Sequence, residues 1–255
     1  MKSLPSVVLL GLLSLLGISC IKENREECPC YLIVDFSELD SAKFESVGLD
    51  VLSADGFLYS DEVNSFVSDY TVKVPRRGIC VNAYIGAEFD PERGFVVDPG
   101  AGFPELWLHS SEFDTSCDVV RDTVILHKSY SKINIHMLSD GTPCPFAIGI
   151  DGDVCGYSLS GQPEDGVFKV SLQPDSKGDC YVCLPRQKSP SLALSIVDDG
   201  DVLRRFALGQ YIVSSGFDWS REDLEDIDVT IDFSRTEITF RLRNWETTYC
   251  YTVEI

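Results

Sequence analysis

The chain has 255 residues, with 41 acidic against 21 basic side chains, a formal net charge of −20 and ten cysteines. Phosphate binding needs clustered Lys and Arg, and no such cluster exists here, so a nucleic-acid partner is excluded. The scattered acid, as in Asp198-Asp199-Gly200-Asp201, is that of a solvated surface.

Residues 1–19 read as a secretory signal. Lys2 supplies the positive n-region, Leu4 to Ile18 the apolar h-region, and Gly17 and Ser19 the small residues before Cys20. The run is shorter than the roughly 20 apolar residues a membrane-spanning helix needs. A cysteine at the cut site resembles a bacterial lipoprotein signal, which implies that the Cys20 thiol takes diacylglycerol and becomes the new N-terminus. The usual Leu at the third position before that cysteine is replaced by Gly17. Residues 20–29, rich in charge, then read as a lipidated tether that stays solvated.

From there the pattern is strand after strand. Tyr31 to Phe36 opens it, and Gly48 to Leu52 with Gly56 to Asp61 predicts a hairpin. Tyr70 to Val74 and Ile79 to Ile85 alternate apolar and polar residues, as half-buried antiparallel strands do. Gly86 to Pro104 reads as a long loop. Strands follow at Glu105–His109, Asp118–Lys128, Lys132–Leu138, Phe146–Ile150, Val154–Leu159, Val167–Leu172, Cys180–Leu184, Leu192–Val197, Val202–Ile212, Asp228–Phe233, Glu237–Arg243 and Tyr249–Ile255. Turn signals separate several of them, at Asp151-Gly152, Pro163 to Gly166 and Asp199-Gly200. A helical turn is expected at Ser220 to Glu225, and a second short helix near Asp61 to Ser68. No internal sequence repeat is evident. This spacing indicates β-sandwiches. The junction falls at His127 to Ser131, which gives an N-terminal sandwich over residues 30–128 and a C-terminal one over 129–255.

Chemistry-bearing motifs are few. Apart from Cys20 the cysteine count is odd, so at least one is unpaired within the monomer. Cys180 and Cys183 lie three apart on a strand, pointing to opposite faces with Cα atoms about 10 Å apart, beyond the reach of a disulfide. Buried free thiols are the expectation, with one or two disulfides in an oxidising compartment. Gly156 to Gly161 has the wrong spacing for a nucleophile elbow. Asp151-Gly152-Asp153 lacks the ligand spacing of a calcium loop and reads as a hairpin turn. His109, His127 and His136 sit in or beside strands, and Trp107, Trp219 and Trp245 read as packing residues. No catalytic set, metal site or cofactor is expected.

The order of several segments resembles the fimbrial anchor lipoproteins of Bacteroidales. These are the cysteine followed by Cys-Pro and an extended strand (Cys20, Cys28-Pro29, Tyr31 to Phe36), Val74 to Glu88, Asp122 to Leu138, and Asp218 to Asp232 followed by Ile238 to Glu246. The resemblance implies two tandem transthyretin-like antiparallel β-sandwich domains, no enzymatic activity, attachment to the outer membrane through lipid on Cys20, and fimbrial shaft subunits as partners. Shaft subunits of such pili lose their first strand by cleavage behind an Arg. Here Arg25 is the early candidate, and cutting there leaves the first strand in place, which favours a base subunit. Tyr249, Tyr251, Val253 and Ile255 alternate on one face of the last strand and are the candidates for pairing with the shaft by strand addition. The same segment also reads as the last strand of its own sandwich. The alternatives for the whole chain are a surface glycan- or ligand-binding lipoprotein, or a tip or accessory fimbrial subunit.

Overall fold

A computed structural model describes residues 28–138, 146–232, 237–243 and 248–254. Cys20 and Ile255 lie outside the described residues, as do Cys144 and Trp245. Eighteen strands and one short helix make up the described secondary structure, so the chain is all-β.

The first half contains β1 (Cys30–Asp35), β2 (Val47–Leu52), β3 (Leu58–Val63), β4 (Tyr70–Val74), β5 (Gly78–Ile85), β6 (Phe95–Val96), β7 (Trp107–Asp114), β8 (Val119–Thr123) and β9 (His127–Lys128). Its alternating sequences bury one row each. In β1 Cys30, Leu32 and Val34 are fully buried while Tyr31 stays exposed. β1 is the centre of a three-stranded sheet ordered β4-β1-β8, antiparallel to β4 and parallel to β8. A second sheet, ordered β3-β2-β5-β7-β9, is antiparallel throughout. Leu32, Val34, Leu49, Val51, Val72 and Val81 meet in the core between them.

The second half contains β10 (Tyr130–Leu138), β11 (Ala147–Tyr157), β12 (Pro163–Leu172), β13 (Asp179–Pro185), β14 (Ala193–Asp198), β15 (Asp201–Phe206), α1 (Leu208–Ser214), β16 (Asp226–Asp232), β17 (Glu237–Arg243) and β18 (Thr248–Glu254). One sheet is ordered β13-β10-β16-β17-β18 and the other β12-β11-β14-β15, with β6 joining β11. Ile133, Ile135, Ile148, Ile150, Ile196 and Ile227 belong to the core of this half.

The two halves share one topology. β1 and β10 each sit between an antiparallel partner (β4, β13) and a parallel one (β8, β16). The facing sheets run β3-β2-β5-β7 and β12-β11-β14-β15, antiparallel at every step. The repeat is therefore structural, although the sequence shows none. The β17–β18 hairpin has no counterpart in the first half among the described residues.

Several expectations are corrected. Ser220 to Glu225 is not helical: Ser220 donates from its backbone N at 2.8 Å and its hydroxyl at 2.6 Å to Asp218 Oδ1, a local bond that competes with helix. The helix lies instead at Leu208–Ser214, where the sequence reads as a continued strand. Leu208 and Ile212, one turn apart, are buried, and a Cβ on Gly209 would stand 2.6 Å from the Pro190 carbonyl oxygen, so only Gly allows this approach. Residues near Asp61 to Ser68 continue β3 and then a loop rather than a helix. Asp151-Gly152 is not a turn: β11 runs through it, with register shifts between Gly152 and Gly156 that absorb extra residues as bulges. Pro163 to Gly166 likewise lies inside β12. Finally, the Gly86 to Pro104 loop carries β6, which pairs with β11, and its Phe95 and Phe103 are buried in the second core.

Candidate functional site

Two places bear on the expected role: the point where the tether joins the fold, and the last strand.

The tether joins at Cys28. Arg76, whose side chain is only 10% exposed, reaches across from the turn after β4. Its Nε donates to the Cys28 carbonyl oxygen at 2.9 Å and its Nη1 to the Ser116 carbonyl oxygen at 2.6 Å, while Nη2 pairs with the Asp118 carboxylate. One guanidinium thus binds the segment before β1 to the segment before β8. Cys30 follows, fully buried. Burial pushes its thiol up, the neighbouring Cys117 adds to the rise, and Arg76 opposes it. The Cys-Pro pair and the Val74 to Glu88 segment stand out in the sequence, but this clasp does not. The available signal is the Arg76-Arg77 pair that follows Pro75, directly after the strand Tyr70–Val74.

The last strand, β18, is the outermost of its sheet and pairs with β17 alone. Tyr249, Tyr251 and Val253 stand opposite Leu242, Phe240 and Ile238 in register, and these stand opposite Ile227, Val229 and Ile231 of β16. The apolar positions therefore form rows across three strands. The outer backbone edge of β18 has no ladder partner among the described residues.

One polar cluster joins β7 to β8 inside the first half. Asp122, 6% exposed, accepts from Ser111 Oγ at 2.6 Å and lies 3.1 Å from His109 Nε2. His109 Nδ1 accepts from the Ile125 backbone N at 3.3 Å, so Nε2 carries the proton. Both ring nitrogens are occupied, and Ser111 faces the carboxylate rather than the imidazole, so this trio holds strands together instead of activating a nucleophile. Cys180 and Cys183 both lie on β13. Among the described residues no group of three or more His, Cys, Asp or Glu side chains converges on a point. Trp219 packs edge-to-face on Phe217 with ring centroids 4.6 Å apart, and Trp107 lies under the Lys43 ammonium at 4.1 Å. His136 pairs with Asp179 on the outer face of the second half, and His127 lies in β9.

Besides the β6–β11 ladder, the halves touch through the loop after β11. Asn82 Nδ2 and Cys80 Sγ both donate to the Leu159 carbonyl oxygen, at 2.8 and 3.1 Å. Among the described residues no helix is long and apolar enough to cross a membrane.

No protein-family model and no curated protein sequence matches the chain. Solved structures do. The fimbrial anchor protein Mfa2 from Porphyromonas gingivalis aligns over 89% of this chain and 98% of its own, with 13% identity and a TM-score of 0.52. A Bacteroides thetaiotaomicron protein described as a candidate polysaccharide-binding protein covers the same shares at 13% identity with a TM-score of 0.55. A candidate adhesin from Bacteroides ovatus aligns over 88% of this chain and 95% of its own, with 11% identity and a TM-score of 0.52. The all-β sandwich fold of these proteins is the fold of this chain, and the resemblance read from its sequence motifs is met by Mfa2 among its structural neighbours.

Proposed function

We propose that the protein is an outer-membrane lipoprotein that anchors a fimbria at the cell surface and helps assemble it, without enzymatic activity. Its lipid is carried on Cys20, and residues 20–29 are the tether. Residues 30–128 and 129–255 form tandem transthyretin-like sandwiches. The shaft subunit is bound through the strand bearing Tyr249, Tyr251, Val253 and Ile255.

The observation that carries this reading is the position of the β17–β18 hairpin outside the repeated topology. A sandwich equivalent to the first half is complete at β16, so β18 is free to serve another purpose. As the outermost strand it gives up a single ladder when it leaves to add to an open sheet elsewhere, and strand addition of this kind draws affinity from main-chain hydrogen bonds. The shared fold with Mfa2 agrees with the assignment. Replacing Cys20 tests it: Cys20→Ala is expected to move the folded protein from the membrane to the soluble fraction and to release fimbriae from cells. Fimbriae that stay on cells carrying this variant at normal protein levels overturn the anchoring role.

A second reading is supported by the outer face of β13, β10 and β16. There Tyr181 is 60% exposed and lines an open depression with Asn134, His136, Asp179 and Asp228. An exposed ring beside amide and carboxylate groups suits a sugar. Binding of polysaccharides that is abolished by Tyr181→Ala would favour this surface role over anchoring.

A further inference from the structure

We propose that Cys30 and Cys117 are joined by a disulfide in the mature protein, tying the strand that follows the tether to the segment that leads into β8. Backbone pairing brings them together. β1 and β8 run parallel with Tyr31 opposite Val119, and the Tyr31 backbone N donates to the Asp118 carbonyl oxygen at 2.9 Å. Cys30 is therefore level with Asp118, and Cys117 is one residue off that level. Neighbouring strands and a one-residue offset place the Cα atoms about 6 Å apart, within the span a disulfide covers. The Arg76 clasp holds the two backbones from outside, through Cys28, Ser116 and Asp118. The Cys117 thiol is near enough to add to the rise of the Cys30 thiol. In the thiol form Cys117 donates to the Val119 carbonyl oxygen at 3.3 Å.

The pair is also built for stepwise oxidation. Cys117 is exposed and Cys30 is buried. The Cys117 thiolate attacks a disulfide-bearing oxidant of the envelope, forming a mixed disulfide and expelling one thiolate of the oxidant. Cys30 then loses its proton, and its thiolate attacks Cys117 Sγ and expels the second. The oxidant gains two electrons, and the two cysteines lose two protons and two electrons. The guanidinium of Arg76 lies beside Cys30 and favours its thiolate in the second step. Cys28, exposed and two residues from Cys30, stays outside the bond.

Peptide mapping of the full-length protein tests this. The protein is purified from cell envelopes in the presence of an alkylating agent and digested without reduction. The expected result is one cross-linked species containing Cys30 and Cys117, with Cys28 alkylated. Alkylated Cys117, or Cys30 joined to any other cysteine, overturns the proposal. Thermal unfolding gives an independent reading. A reductant is expected to lower the midpoint by roughly 5–10 °C in the parent protein and to leave Cys117→Ser unchanged. An equal reductant effect on both proteins overturns it. Neither measurement depends on fimbriae, so failure here leaves the anchoring role standing, and failure of that role leaves the bond standing.

Discussion

His109 Nε2 stands 3.1 Å from each carboxylate oxygen of Asp122, bridging β7 to β8 and so joining the two sheets of the first half. Ser111 completes the cluster with a 2.6 Å bond to the same carboxylate. Removing the acceptor leaves two half-buried donors, the His109 N–H and the Ser111 O–H, without a partner at once. Leaving a buried donor without a partner costs about 1–3 kcal/mol. Asp122→Ala is therefore expected to destabilise the protein by roughly 2–5 kcal/mol, whereas Asp122→Asn, which keeps one acceptor oxygen, loses less. Urea unfolding of the three proteins measures the difference. Equal midpoints for Ala and the parent would remove this cluster from the list of stabilising contacts.

One of the contacts between halves, the seat of the Ser158 to Gln162 loop on Asn82, depends on a glycine. Gly161 has φ +69°, and a Cβ there would stand 2.3 Å from Ser110 Cβ. A side chain at this position meets both a disfavoured backbone and a neighbour on β7. Gly161→Ala is expected to lift the Ser158 to Gln162 loop from Asn82, which limited proteolysis would register as faster cleavage within the loop. Unchanged cleavage would show that Ser110 yields at little cost.

Stability should fall on the alkaline side. Burial, followed by the Glu105 carboxylate, pushes the Tyr130 hydroxyl from 10.0 up to about 12 and the Cys183 thiol from 9.0 up to about 11. Both folded values lie above the unfolded ones, so the unfolded chain releases these protons first. The stability they contribute is complete below pH about 9. It declines between about 9 and 11 for Cys183 and between about 10 and 12 for Tyr130. Thermal midpoints read across this range should drop. Cys183→Ala should flatten the first part of the decline. A slope identical to the parent's would assign the alkaline limb to other groups.

Alternation made most of the fold legible. Tyr70 to Val74 and Glu237 to Arg243 are strands with the expected limits, because one polar and one apolar row write a period of two into the sequence. The bulged β11 was harder. Gly152 satisfies a turn pattern as readily as a bulge, and only pairing with β12 on one side and β14 on the other decides between them. The helix at Leu208–Ser214 was masked because its apolar residues continue those of β15 without a capping side chain. The repeat was invisible for a different reason: it is preserved in strand order and direction, while the residues filling the two cores are unrelated. Cys117 and Arg76 were unreadable as partners of Cys30, since register between distant strands is a property of the folded sheet.

The β18 strand permits the sharpest separation of roles. Its register continues the apolar rows of Ile227, Val229 and Ile231 outward through β17 to Tyr249, Tyr251 and Val253. Those three β16 residues are already buried, each at most 2% exposed, and β17 still borders them when β18 is absent. Deleting residues 249–255 should therefore leave the second core closed. If the segment joins the shaft, the truncated protein stays folded and in the membrane fraction, its thermal midpoint moves by only a few degrees (about 1–2 kcal/mol at 2–4 °C each), and fimbriae are shed into the medium. If the segment serves only its own sheet, the second half becomes protease-sensitive, the midpoint falls far more, and any loss of fimbriae follows from unfolding. Measuring the midpoint and the shed fimbriae on the same truncated protein separates the two, and a melted second half would end the case for strand addition.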